Sequence, residues 1–122
     1  MITELEQDYR RVLDYVNTHF SKKPDTNAIL FLIGVRELGI LPEKKFSKTD
    51  KVGLLHIAVC KLLSYDGYYA LIGMDNDGWP HWDKIKELPF INIFEQELLL
   101  KQYIVHYFIE EEILPSNEIS KI

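Results

Sequence analysis

Three places in the 122-residue chain set a short polar side chain three residues ahead of a carboxylate: Thr3 with Glu6, Ser47 with Asp50, and Asn92 with Glu95. Each pair can satisfy backbone N–H groups left over where a helix begins, so each reads as a capping box and marks a helix start. Apolar residues follow all three at helical spacing. Behind Thr3, the residues Leu5, Tyr9, Val12, Leu13, Val16 and Phe20 form one stripe, which predicts a surface helix over 3–20. Behind Ser47, one face is made by Val52, Leu55, Ala58, Val59, Leu62 and Leu63, while Leu54 and Ile57 lie nearly opposite, flanking Lys61. The helix predicted over 48–65 is thus apolar on two sides and should be central. Behind Asn92, a helix predicted over 93–113 carries Leu100, Tyr103, Ile104, Tyr107 and Phe108 on one face and Leu98, Val105 and Ile109 on another.

A further helix is expected over 27–38. It opens at a cap among Asp25, Thr26 and Asn27, after a loop at Ser21 to Asp25 that holds Pro24, and it stops at Gly39, Ile40 and Pro42. Residues 28 to 35 are apolar at every position, which suits a buried helix or a buried strand; the end signals and the Arg36-Glu37-Leu38 continuation favour helix. Gly34 would then mark the close approach of another backbone. Beyond Asp66-Gly67 the pattern changes. Tyr68 to Met74 favours strand, Asp75-Asn76-Asp77-Gly78 is turn chemistry, and Trp79 to Trp82 is aromatic again, so a β-hairpin is expected near 68–83. Pro80 cannot donate to a ladder and should keep the return strand short or at an edge. Asp83 is expected to cap a short turn through Leu88, ended by Pro89. The fold class is mainly α (α+β): about four helices packed around a central one, with one hairpin, as a single domain over 1–113 and a frayed tail over 114–122.

The balance of 47% apolar and 27% charged residues supports a real core. A formal charge of −5 disfavours general nucleic-acid binding, which needs Lys and Arg to displace counterions. The charge is uneven, at −2 over residues 1–21, +4 over 22–61 and −7 over 62–122. Such asymmetry could help two copies pair head to tail, or attract an anionic ligand. The start, MITELEQDYRR, is acidic where an export signal is basic, and the longest apolar run is eight residues against the roughly 20 that span a bilayer. With Cys60 as the single cysteine, a reducing cytoplasm is the expected compartment and no membrane is expected as a partner.

Several chemistries fall away on spacing. The D-N-D-G segment suggests a calcium loop, yet with Gly78 at its sixth place the first is Gly73 and the twelfth Lys84, where carboxylates are required. His56 and Cys60, at i and i+4, share a helix face but are two ligands where a metal needs more, so no metal or other cofactor is expected. Cys60 sits deep in its helix and should be inert. Asp75, Asp77, Glu95 and Glu97 offer carboxylates without a fixed separation, and no phosphate-cradling glycine loop is present. What remains is the aromatic density from Tyr65 to Trp82. Amphipathic rings suit a hairpin docking on its helices, the favoured reading, and also a recognition surface, for which Tyr68, Tyr69, Asp75, Asp77, Trp79, His81 and Trp82 are the candidate binding residues; no catalytic residue is assigned.

The segments F-S-K-T-D-K, L-L-H-I-A-V-C-K-L-L, D-G-Y-Y, D-N-D-G-W-P-H-W and E-Q-E-L-L-L-K-Q together resemble a family of small uncharacterised proteins of Bacteroides-type bacteria, over roughly residues 30 to 110. The resemblance implies a bacterial cytoplasmic protein and carries over no catalytic residue. The leading expectation is a non-enzymatic protein-interaction module, a homodimer joined through Ile104, Tyr107 and Phe108 of the last helix or through the hairpin edge. The alternative is a small enzyme or ligand-binding domain with a pocket between the aromatic hairpin and the helices. A weaker third reading, an acidic nucleic-acid mimic, would need the C-terminal acids on one face.

Overall fold

The structure is a computed structural model that describes residues 3–20, 25–39, 45–89 and 92–114. Among them run α1 (Glu4–Phe20), α2 (Thr26–Leu38), α3 (Lys48–Ser64), β1 (Tyr69–Met74), β2 (Pro80–Lys84) and α4 (Ile93–Glu110). Four helices and one antiparallel hairpin make this the mainly α class expected. The expected loop at Ser21–Pro24, the stop residues Ile40 and Pro42, and the tail from Pro115 lie outside the described residues. The chain gathers into two compact units, one holding α1 and α4, the other α2, α3 and the hairpin.

Helix starts follow the local chemistry of their caps. At α3 the box is complete: Ser47 Oγ accepts from the Asp50 N–H at 3.0 Å and Asp50 Oδ2 accepts from the Ser47 N–H at 3.1 Å. At α4, Asn92 Oδ1 accepts from the Glu95 N–H at 2.9 Å, and Glu95 closes on the Asn92 side chain at 3.4 Å rather than on its backbone. Thr3 Oγ1 and Asp25 Oδ1 cap α1 and α2 by accepting from the N–H groups of Glu6 and Ala28. Helix ends are less uniform. The α3 end turns through Gly67 at φ 80°, with Gly67 N–H on Ser64 O and Tyr68 N–H on Leu63 O. The α4 end repeats that bond pattern, Glu112 N–H on Ile109 O and Ile113 N–H on Phe108 O, but puts Glu112 at φ 59°. This helix therefore stops at Glu110 instead of the expected 113.

In the second unit, α2 is a helix, buried at Ile29, Leu30, Ile33, Gly34 and Leu38. Its glycine marks the close approach of another backbone, as expected. A Cβ placed on Gly34 would stand 2.8 Å from the carbonyl carbon of Leu54, so backbone lies on backbone here and no other residue fits. Both of the apolar sides expected on α3 are buried. Leu54 and Ile57 are sealed on one side and Ala58, Leu62 and Leu63 on the other, while Val52, in the first turn, is 67% exposed. Leu54, Ile57 and Leu38 pack with Phe31, Val35, Phe46 and Trp79, and the Phe31 and Phe46 rings meet edge to face at 6.1 Å.

The hairpin pairs Tyr69 with Lys84, Ala70 with Asp83 and Leu71 with Trp82, then Gly73 with His81 and Met74 with Pro80, so Ile72 is an extra residue in a β-bulge. The short turn expected over Asp83 to Leu88 does not form. Asp83 and Lys84 remain in the ladder, which Ile85 extends through its N–H to Tyr68 O at 2.8 Å. The hairpin docks on α3 through Trp79, whose ring edge would stand 3.0 Å from a Cβ on Gly53.

In the first unit, the Lys101 ammonium lies 5.2 Å from the Tyr9 ring centroid and the Tyr15 and Phe108 rings meet edge to face at 6.0 Å. Both pairs advance together along the chain, so α1 and α4 run parallel. Tyr9, Val12 and Val16 of α1 and Tyr103 to Val105, Tyr107 and Phe108 of α4 are buried.

The two helical glycines should respond differently to one methyl group. Gly34→Ala should lower stability by about 3 kcal/mol, because neither backbone can yield. Gly53→Ala should stay within about 1 kcal/mol of the unmodified chain, since the gain in helix propensity is offset by moving the Trp79 ring. Urea unfolding followed by circular dichroism measures both; an unshifted midpoint for Gly34→Ala would show that α2 and α3 do not touch there.

Candidate functional site

The hairpin turn is organised by one carboxylate. Asp75 Oδ1 accepts from the N–H groups of Asp77 at 2.9 Å and Trp79 at 3.0 Å, while Oδ2 lies 2.9 Å from His81 Nε2. The backbone of Asp75 closes the same loop, its N–H on Trp79 O and its carbonyl taking the Gly78 N–H. The Trp79 N–H above all, and then His81, hold the Asp75 carboxyl below its ordinary value. A carboxylate so engaged is a weak proton acceptor. Its chemistry here is to fix the turn and to orient the exposed His81 ring, to which no hydroxyl or thiol is bonded among the described residues.

The structure divides the other aromatic candidates. Trp79 faces α3, so this ring docks the hairpin on its helix, the favoured of the two expectations. Tyr68 is half-buried beneath Lys86, whose ammonium lies 4.6 Å from its ring centroid. Tyr69 is half-buried on β1, and Asp77 is exposed at the turn. Trp82 is half-buried, and its indole N–H lies out of contact with solvent and has no acceptor among the described residues. Of the seven candidates, Asp75, Asp77, Trp79 and His81 share one hydrogen-bonded loop, whereas Tyr68, Tyr69 and Trp82 belong to the strands and their approach.

Cys60 is fully buried, with its Sγ 3.5 Å from His56 Nε2, and burial pushes its thiol up to about 11. The nucleophilic thiolate is therefore suppressed at neutral pH. Among the described residues no three His, Cys, Asp or Glu side chains are placed to hold a metal ion.

The residues expected at a dimer contact lie inside the chain: Ile104 and Tyr107 are 0% exposed and Phe108 is 4%. The surface of α4 is elsewhere. Ile93 and Phe94, 80% and 81% exposed, stand in its first turn, and Leu98 is exposed one turn later. A groove of about 690 Å³ runs between α1 and α4 over Leu5, Tyr9, Leu13, Phe94 and Leu98. Its two apolar lines, at i and i+4 in each helix, were visible in the sequence but are indistinguishable there from inward stripes. On the hairpin, Leu71, Ile72 and Met74 of β1 are exposed, and Ile85 after β2 with them. No family model, curated protein or solved structure matches the chain.

Two measurements probe these groups. Iodoacetamide at about pH 8 should alkylate native Cys60 about a hundredfold more slowly than a free cysteine, and at the ordinary rate in urea; a fast native reaction would place the thiol at the surface. Because the Asp75 carboxyl is held below its ordinary value of 3.8, its support of the turn is complete above that value and is lost as pH falls through the lowered one. The protection of the Trp79 amide against exchange, taken relative to its intrinsic rate at each pH, should fall over that acid range, and Asp75→Asn should remove the step.

Proposed function

We propose that the chain is a non-enzymatic protein-interaction module that works as a homodimer in a bacterial cytoplasm. The observation that carries this reading is the surface placement of large apolar side chains, Ile93, Phe94 and Leu98 at the head of α4 and Leu71, Ile72 and Met74 on β1. Apolar side chains gathered in this way on a surface mark association sites, because covering them removes area from water at about 25 cal/mol per Å². The state of the polar groups supports a binding role over a catalytic one: the Asp75 carboxylate is spent on its own turn, and the Cys60 thiol is buried and protonated. Among the described residues no helix is long and apolar enough to cross a membrane. The bacterial and cytoplasmic parts of the proposal rest on the resemblance carried by the central segments and on the single cysteine.

Light scattering at micromolar concentration tests the assembly. The expected mass is twice the 14.4 kDa of one chain; a mass of 14.4 kDa throughout the micromolar range would sink the dimer.

A further inference from the structure

The groove between α1 and α4 carries a charge pattern above its apolar floor. On its rim, Glu6 and Arg10 stand four residues apart on α1, and Glu97 and Lys101 do the same on α4. In both helices the acid comes first. Because the helices run parallel, both acids fall toward the end where α1 and α4 begin, and both bases lie about 6 Å further along. The rim is acidic at one end and basic at the other. Phe94 protrudes at the acidic end, and Leu13 lies in the floor toward the basic end. The ion pair between Glu97 and Lys101, 4.0 Å apart on the surface, is too solvated to erase this polarity.

We infer that this groove is covered by a second copy of the same chain, turned end for end about a twofold axis. The inference rests on the homodimer reading and names the face that makes it. A twofold contact sets each residue pair twice, so the acidic end of either copy meets the basic end of the other, and both charge contacts are attractive. A copy laid in the same direction would set like on like. In the end-for-end arrangement Phe94 of one copy reaches the basic end of the other, where Leu13 supplies apolar contact and Arg10 and Lys101 supply cations for its ring face. The four helices complete a bundle, and the aligned dipoles of α1 and α4 are opposed by those of the second copy. The asymmetry of charge within one face thus becomes the rule that selects its own copy.

Charge reversal tests the arrangement. Arg10→Glu with Lys101→Glu makes the rim acidic throughout, and Glu6→Lys with Glu97→Lys makes it basic throughout. Each double variant alone should weaken dimerisation about a hundredfold or more and scatter as a 14.4 kDa chain where the unmodified protein is double that mass. An equimolar mixture of the two should recover the doubled mass, since acid then faces base at both ends. Far-UV circular dichroism shows that each variant is folded, and Phe94→Ser, which alters no charge, should also lower the dimer mass should either double variant misfold. Dimers that survive either double variant, or a mixture that stays at the single mass, overturn the groove while leaving the homodimer standing. A single mass for the unmodified chain overturns the homodimer itself.

Discussion

Backbone lies on backbone where Gly34 of α2 meets Leu54 of α3, and the second unit is arranged around that contact. Side chains next to it must fit on either side of a very narrow separation, which seals Leu54 and Ile57, while Val52, two residues before Leu54 and about 200° round the helix, is left to solvent. One residue earlier, Gly53 points about 100° away round the helix. That direction receives the Trp79 ring. Two adjacent positions on α3 therefore hold two different neighbours, a helix and a hairpin, and each contact is as close as it is because one partner lacks or loses a side chain at the point of approach.

What could be read from the sequence was chemistry that closes within a few residues. The Ser47 and Asp50 box, the Asp25 cap and the D-N-D-G turn all satisfy donors no more than four residues away, so their letters carry their geometry. The ends of α3 and α4 show the limit of this. Both close with the same pair of hydrogen bonds, yet Gly67 advertises the left-handed residue and Glu112 does not, and the final helix was expected to run further. Which apolar residue of α3 reaches solvent, as Val52 does, depends on what packs against it, a fact no local pattern holds. The bulge at Ile72 is likewise a property of the pairing between strands and not of either strand.

The candidate site was legible as a list of residues but not as a division of labour. Aromatic rings around an acidic turn suggested a docking element or a binding surface; in the structure the turn is held by Asp75, Trp79 is turned to α3, and the exposed apolar groups of the hairpin are aliphatic. At the head of α4, Phe94 and Leu98 repeat at the spacing of an inward stripe and face outward. Periodicity reports that side chains share a face; only packing decides whether that face is covered. This is where sequence reading is weakest, because residues that would bind another molecule obey the same pattern as those that bind the chain to itself.

Both tryptophans of the chain, Trp79 and Trp82, belong to the hairpin, and neither belongs to a helix. Indole emission is therefore a local signal. It responds to whether the Trp79 ring rests on Gly53 and to the surroundings of the shielded Trp82 N–H, while the far-ultraviolet signal comes mainly from the four helices. The molecule is in effect labelled at one site by its own composition, with a fluorophore that watches a small β element detach from or settle onto its helix while the helical signal is recorded separately.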